Sequence, residues 1–293
     1  MAKIAIFAER YTIRSSVELA ALSNYRLAAF ELGHQLDFLF RNELKYISNY
    51  DAIFIRALTD PLNTSYVVAR LAQMLGLRVI DEPESIRICC DKVNMYKRLI
   101  NCEILIPKTV FLATNEVSRE NASELFETLG VPLVLKAPNS SFSLYVDKVN
   151  SVDQFIKIGK KFLRRADRII VQQYLPSDYD WRVIILNDKV LAVVKYIFAQ
   201  NTWRLMDRSE DGEVSKVYGM AVEDANPQLL EVALNATKAI GKSLYGVDIK
   251  EVDGEYFVIE VNDNPNIDAG NEDQYSPNIY KNIIHFLAGE DFE

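Results

Sequence analysis

The pair Asp253-Gly254 restricts the fold of this chain more than any other part of the sequence. It separates two segments that alternate apolar and polar side chains, and an Asp-Gly pair in that setting is typical of the tight turn of a β-hairpin. Because side chains alternate faces along a strand, Glu260 and Asn262 should lie together on one face of the second segment. The sequence therefore predicts an antiparallel hairpin that carries a carboxylate and an amide on its polar face.

The register of this hairpin decides whether Asp248 joins the same face. A two-residue turn alone would place Asp248 opposite Ile259 and on the wrong side of the sheet. A loop of odd length, or a β-bulge, would place it opposite Glu260 and leave Phe257, Ile259 and Val261 on the core side. The sequence predicts the second register, because it unites the polar residues and also buries the apolar ones.

Asp248, Glu260 and Asn262 offer the oxygen ligands that hard cations prefer. Mg²⁺ typically binds one or two carboxylates and fills its other positions with water and phosphate. The three residues therefore predict a metal-nucleotide site for Mg²⁺, with Mn²⁺ as the alternative ion. Taken alone, the same pattern also fits solvated strand residues followed by an ordinary turn.

The composition is that of a globular protein of about two subdomains, with 293 residues of which 49% are hydrophobic and 25% charged. A net charge of −8 and a pI near 5.1 argue against a general nucleic-acid surface, which needs many lysines and arginines. No targeting segment or membrane-length apolar run is evident, and the three cysteines lack metal-ligand spacing. We therefore expect a cytoplasmic protein that binds neither nucleic acid nor a membrane.

The chain has too few histidines to favour a mechanism based on histidine. Only His34 and His285 occur, one beside a glycine after a helical segment and one inside a C-terminal apolar helix. Both settings favour a structural role over a catalytic one. Chemistry should therefore come from lysine, arginine, carboxylates and a bound cofactor.

Predicted strands alternate with helices through about residue 82, which indicates an α/β layer with a parallel sheet. In this part, strands are predicted at 3–8, 36–40, 52–55 and 78–81, and helices at 17–32 and 62–75. Strands are predicted beyond it at 109–112, 133–136, 144–149, 169–175, 181–186 and 190–198, and helices at 84–101, 116–129, 227–245 and 277–287.

Five short motifs follow one another along the chain: Asp91-Lys92-Val93, Val134-Leu135-Lys136, Gln172-Gln173-Tyr174-Leu175, Asp180-Trp181-Arg182 and Glu260-Val261-Asn262. In this order they resemble the ATP-grasp superfamily, most closely its branch related to the ribosomal protein S6 glutamate ligase and glutathione synthetase. The resemblance spans nearly the whole chain. It implies a mixed α/β and α+β fold, in which a parallel-sheet pre-ATP-grasp domain at 1–88 precedes a two-subdomain ATP-grasp domain at 89–293. The lid subdomain would cover about 109–168 and the C-terminal subdomain about 169–293.

The resemblance also implies how ATP would be bound between these two subdomains. Lys92 and Lys136 match two lysines that bind the phosphates, a task suited to a compact ammonium charge. Gln173, Tyr174 and Leu175 match the hinge that meets the adenine, and Asp180 matches the acid near the ribose.

Three arginines complete the expected site. Arg204 resembles the arginine that reaches the transferred phosphate and the substrate carboxylate, because a guanidinium can bridge two anions. Arg56 stands at the carboxyl end of a predicted parallel strand, where open α/β sheets bind ligands, and we assign it to the substrate together with Arg182. A surface position remains an alternative for Arg56 and Arg204.

The loop at 139–145 departs from the family, because many relatives carry glycines there and this chain has none. Ser140 and Ser141 would donate hydroxyls to the phosphates instead. The segment 266–270 also departs from the pattern of the ligases, which leaves the acceptor pocket open.

The implied activity is the ATP-dependent joining of a carboxylate to an amine through an acylphosphate, with release of ADP and phosphate. The substrates would be small-molecule or peptide acids and amines. Two alternatives stay open: phosphoryl transfer to a hydroxyl, as in ATP-grasp kinases, and ATP binding without catalysis by a regulator. The sequence also leaves open whether the protein is a monomer or a homo-oligomer.

Overall fold

The structure, a computed structural model, describes residues 1–139, 144–204, 207, 209 and 211–292. Its first sheet contains four parallel strands in the order β2-β1-β3-β4, namely β1 (Lys3–Ala8), β2 (Gln35–Leu39), β3 (Ala52–Arg56) and β4 (Arg78–Ile80). Helix α1 (Ser16–Glu31) connects β1 to β2, and α2 (Thr64–Met74) connects β3 to β4. The predicted N-terminal α/β layer is therefore confirmed.

The predicted helix over 84–101 is two helices, α3 (Pro83–Cys89) and α4 (Lys92–Asn101). The side chain of Asp91 accepts hydrogen bonds from the backbone N–H groups of Val93 and Asn94, which makes it the N-cap of α4. This cap starts a new helix and places Lys92 at its first turn.

The second sheet is antiparallel, in the order β5-β8-β6-β7. Its strands are β5 (Thr109–Ala113), β6 (Leu133–Lys136), β7 (Val146–Val149) and β8 (Arg168–Gln173), and its helices are α5 (Arg119–Leu129) and α6 (Val152–Phe162). Buried residues of both helices, such as Leu125 and Phe155, pack against strand residues such as Leu133. Helix α6 was not predicted from the sequence.

The third sheet is also antiparallel, in the order β11-β10-β9-β12-β13. Its strands are β9 (Tyr179–Leu186), β10 (Lys189–Ile197), β11 (Lys216–Met220), β12 (Leu244–Val252) and β13 (Glu255–Asn262). Helix α7 (Pro227–Lys238) lies between β11 and β12 along the chain, and α8 (Ile279–Ala288) follows β13. The prediction of a helix to residue 245 is wrong, because the apolar run from Leu244 pairs with β9 and β13 instead. Strand β11 was not predicted.

Helix α8 returns to the first sheet. Its residues Ile279 and Ile283 share one core with Tyr25 of α1 and with Ile4 and Phe54 of the sheet. The C-terminus of the chain therefore packs on its N-terminal layer. None of the helices in the described ranges is long and apolar enough to span a membrane.

The β12–β13 hairpin has the predicted register at its polar end. Val252 pairs with Glu255 across the two-residue turn, but Asp248 pairs with Glu260, because a bulge at Ile259 shifts the register between them. The bulge changes which apolar residues are buried: Tyr256 and Val258 lie in the core, whereas Phe257 and Ile259 are half-buried. The prediction that Phe257 and Ile259 share the core face with Val261 is therefore wrong.

Candidate active site

A cavity of about 690 Å³ is lined by residues from all three sheets. The predicted site residues that it brings together are Arg56, Lys92, Lys136, Gln173, Tyr174, Leu175, Asp180, Arg182, Arg204, Asp248, Glu260 and Asn262. Ser140 and Ser141 lie outside the described residues. The cavity is thus the candidate active site, and the chemical role of each residue stays a prediction.

The predicted metal ligands meet where β12 pairs with β13. The amide nitrogen of Asn262 donates to Asp248 at 3.1 Å and to the carbonyl of Gly246 at 3.3 Å, which leaves the amide oxygen for another partner. Arg182 donates two hydrogen bonds to Asp248, at 2.7 and 2.8 Å, and both side chains are mostly buried. Arg182, which we assigned to the substrate, therefore contacts a predicted metal ligand.

Glu260 forms an ion pair with Lys92, whose ammonium lies 2.7 Å from the carboxylate. Burial alone would raise the pKa of Glu260, but the charge and hydrogen bond of Lys92, together with the charges of Lys136 and Arg182, outweigh burial and lower this pKa below its ordinary value. The carboxylate is therefore ionised at neutral pH.

The donor set fits a hard cation. Among the described residues no group of three or more His, Cys, Asp or Glu is arranged to hold a metal. The three predicted ligands, Asp248, Glu260 and Asn262, supply two carboxylates and one amide oxygen. That is enough for Mg²⁺ when phosphate and water supply the remaining ligands. A bound Mg²⁺ would share Asp248 with Arg182 and Glu260 with Lys92.

Lys136 ends strand β6 and is only 6% exposed. Its ammonium donates a 2.8 Å hydrogen bond to the hydroxyl of Tyr96, a fully buried residue of α4. Burial lowers the pKa of Lys136 to about 8, although the negative charge of Glu260 opposes this shift. The side chain therefore remains mostly charged at neutral pH.

The predicted hinge begins at Gln173, the last residue of β8, and contains an aromatic contact that the sequence did not indicate. The ring of Tyr174 packs edge-on against Trp203 with 6.2 Å between centroids. The ammonium of Lys148, on β7, lies 4.5 Å from the centre of the Tyr174 ring. Leu175 is buried beside them, and the backbone N–H of Gln173 donates to the carbonyl of Lys108. These contacts give one end of the cavity an apolar, aromatic wall.

Asp180 forms an ion pair with Lys250 at 2.5 Å, a partner that sequence analysis missed. A signal for it existed, because Lys250 lies two residues after Asp248 on the same strand and therefore on the same face. Burial raises the pKa of Asp180, against the opposing effect of Lys250.

Arg204 and Arg56 both line the cavity. Arg204 pairs with Asp207 at 3.0 Å and donates to the backbone carbonyl of Val146 on β7 at 2.9 Å. Arg56, at the end of β3, donates to the side chain of Asn264 at 2.8 Å and to the carbonyl of Pro265 at 2.9 Å. Both arginines therefore anchor a neighbouring segment as well as facing the cavity.

The family model of the RimK-like ATP-grasp domain matches residues 89–287. The chain belongs to this family. The predicted membership of the ATP-grasp superfamily, near its ribosomal protein S6 glutamate ligase branch, is thereby confirmed, and the RimK-like domain contains the predicted nucleotide and metal residues.

Relatives of this RimK-like chain are named as ligases. It is 24% identical to the glutamate–LysW ligase of Sulfolobus acidocaldarius over 231 residues, which cover 75% of this chain and 76% of that protein. It is 25% identical to a probable α-L-glutamate ligase of Pseudoalteromonas atlantica over an alignment of 306 positions, which covers 98% of this chain and 95% of that protein.

Solved structures share its fold. D-alanine–D-alanine ligase from Bacillus anthracis aligns with a TM-score of 0.73 at 18% identity and covers 99% of this chain and 97% of that one. A RimK domain ATP-grasp protein from Sphaerobacter thermophilus aligns with a TM-score of 0.67 at 18% identity and covers 98% and 100%. The predicted mixed α/β and α+β ATP-grasp architecture is confirmed.

Proposed function

We propose that this chain is an ATP-dependent carboxylate–amine ligase that works through an acylphosphate and releases ADP and phosphate. The observation that carries the proposal is the convergence of Lys92, Lys136, Asp248, Glu260 and Asn262 on one cavity. Two ammonium groups and a set of oxygen ligands are what a metal-bound triphosphate requires. The names of the relatives, which are ligases, support the same reaction class.

The nucleotide binds between the second and third sheets. The aromatic wall formed by Tyr174 and Trp203, with Leu175, takes the adenine, and Asp180 lies toward the ribose. Lys92 and Lys136 neutralise the phosphates. Asp248, Glu260 and Asn262 would hold Mg²⁺, which would neutralise further phosphate charge.

We assign residues 1–88 to the N-terminal domain, about 109–168 to the lid and about 169–293 to the C-terminal subdomain. The lid then carries Lys136 and Lys148, whereas the metal ligands belong to the C-terminal subdomain.

The chemistry requires no covalent enzyme intermediate. A carboxylate oxygen of the acid substrate bonds to the γ-phosphorus, and the bond between that phosphorus and the oxygen retained by ADP breaks. The amine then attacks the acyl carbon, loses a proton and expels phosphate. Arg204 and Lys136 stabilise the negative charge during transfer, so the protein contributes positioning and charge neutralisation.

The end of the cavity next to the first sheet combines opposite charges. Arg56 lies near two half-buried carboxylates, Glu18 and Asp268, and burial raises the pKa of both, against the opposing effect of Arg56. We assign the anionic group of a substrate to Arg56 and the amine to the two carboxylates. An amino acid carries both groups, and the glutamate ligases among the relatives support one as a substrate.

The test uses the full chain with ATP, Mg²⁺ and the small-molecule and peptide fraction of a cell extract, followed by mass spectrometry. We expect an ATP-dependent condensation product, with ADP and phosphate formed only when both an acid and an amine are present. AMP and pyrophosphate, a stable phosphorylated product formed without amine, or nucleotide binding without turnover would each contradict the proposal.

A further inference from the structure

We propose that Tyr96 is a positioning residue that fixes the ammonium of Lys136 for phosphate binding. The inference rests on the proposed function, because it takes Lys136 as a ligand of the ATP phosphates. Neither the sequence motifs nor the family resemblance pointed to Tyr96.

The hydroxyl of Tyr96 lies between two sheets. It accepts a 2.8 Å hydrogen bond from Lys136, on β6, and donates a 2.5 Å bond to the backbone carbonyl of Ile259, on β13. A tyrosine hydroxyl has one hydrogen to donate and can accept at the same time, so both bonds can form together. Tyr96 is fully buried and its ring cannot move aside without disturbing the core.

The acceptor on β13 is the bulged residue. Within the described ladder of β12 and β13, Ile259 has no cross-strand partner, because Asp248 pairs with Glu260 and Ile249 pairs with Val258. A bulge interrupts the ladder of backbone hydrogen bonds, and the carbonyl of its extra residue needs another donor. The hydroxyl of Tyr96 is that donor. The bulge that places Glu260 opposite Asp248 therefore also holds Tyr96 in position.

One face of α4 controls both phosphate-binding lysines. Lys92 and Tyr96 are four residues apart on this helix and therefore lie on the same face. Lys92 forms an ion pair with Glu260. Tyr96 bonds to the carbonyl of Ile259, the residue before Glu260, and to the ammonium of Lys136. Helix α4 thereby fixes the distance between Lys136, on β6 of the second sheet, and strand β13 of the third sheet, which carries Glu260.

The ammonium keeps donors for a ligand. It has three N–H bonds, and the described residues show one of them directed to the Tyr96 hydroxyl, which leaves two for phosphate oxygens. A lysine is flexible and loses rotamer freedom when it binds, so a bond that holds it in place beforehand favours phosphate binding.

The first experiment measures the dissociation constants of ATP and of adenosine for the wild type and for Tyr96→Phe by calorimetry. The variant keeps the buried ring and removes only the hydroxyl. We expect ATP to bind about tenfold more weakly, because the ammonium of Lys136 is no longer held in place and must be ordered when the phosphate binds. Adenosine, which has no phosphate, should bind as it does to the wild type, and this also shows that the variant is folded.

A matched control is Tyr245→Phe. Tyr245 is also a buried tyrosine, and its hydroxyl forms a 2.6 Å bond with Ser85 rather than with a cavity lysine. The control should lose comparable stability and bind ATP like the wild type. If ATP binding were weakened equally in both variants, the cause would be the general loss of a buried hydroxyl, and the proposal would be overturned.

The second experiment is a double-mutant cycle with Lys136→Met. If Tyr96 acts through Lys136, Tyr96→Phe should weaken ATP binding in the wild type but not in the Lys136→Met background. The same loss in both backgrounds would overturn the positioning role while leaving Lys136 as a phosphate ligand. If Lys136→Met itself binds ATP like the wild type, the assignment of Lys136 to phosphate fails, and the role of Tyr96 with it.

Discussion

Replacing Glu260 with glutamine should both destabilise the protein and stop ATP turnover. The ammonium of Lys92 lies 2.7 Å from this carboxylate, and the two side chains are 5% and 26% exposed. Glutamine keeps the size and one acceptor oxygen but removes the charge that compensates the ammonium. Breaking a fully buried pair costs about 3–5 kcal/mol; because the amide still accepts a bond and the cavity admits water, we expect about 2 kcal/mol here.

Urea unfolding of the nucleotide-free protein measures this loss, and ADP release at saturating Mg²⁺ measures turnover. A second variant, Lys92→Met with Glu260→Gln, separates the two effects. It removes the uncompensated charge, so it should regain most of the stability, but it should remain inactive because a metal ligand is still missing. Glu84→Gln is the control for exposed ion pairs, those with Arg87 and Arg98, and it should change stability by less than about 1 kcal/mol.

Two results would refute this reasoning. Wild-type turnover of Glu260→Gln at saturating Mg²⁺ would remove Glu260 from the metal site. A double variant no more stable than Glu260→Gln would show that the charge of Lys92 is not what destabilises the single variant.

Three further outcomes test other parts of the site. Arg56→Ala should raise the KM of the substrate with little change in ATP affinity, and a matching loss of ATP affinity in steady-state kinetics would contradict its assignment. Arg204→Met should lower kcat at least tenfold while ATP binding changes little, because the arginine acts on the transferred phosphate; an unchanged kcat would exclude that role. Burial would raise the pKa of Glu260, but Lys92, Lys136 and Arg182 together lower it. The stabilisation from this carboxylate therefore exists above about pH 4.5 and is lost as the pH falls through the folded-state pKa. The wild type should therefore lose more stability than Glu260→Gln between about pH 5 and pH 3 in urea titrations, and parallel curves would contradict this.

The hairpin illustrates how far the sequence leads. Alternation of apolar and polar residues, with the demand that Asp248 meet Glu260, predicted a register that the structure confirms. The position of the bulge could not be predicted, because moving it along the strand keeps the same pairs at the polar end. The faces of Phe257 and Ile259 were therefore wrong, although the carboxylates were placed correctly.

Local pattern also could not reveal contacts between distant segments. The ordered motifs predicted the residues that line the cavity, because each motif has a recognisable neighbourhood in sequence. The partners of those residues lie far away in sequence. Tyr96, on α4, bonds to Lys136, and Lys250, on β12, pairs with Asp180 on the neighbouring strand β9. A buried tyrosine gives no sign of its partner until the fold brings the two together. Alternation along β12 places Lys250 on the same face as Asp248, but it does not show that Asp180 lies beside it.

An oxygen-isotope experiment tests the proposed reaction most directly. The carboxylates of the small-molecule and peptide fraction of a cell extract are exchanged with ¹⁸O, and the full chain is added with ATP and Mg²⁺. Because a carboxylate oxygen becomes the bridge of the acylphosphate and leaves with phosphorus, the phosphate released should contain one ¹⁸O atom, in step with amide formation. Release of unlabelled phosphate would show that water, rather than a carboxylate, attacks ATP, and would contradict ligation through an acylphosphate.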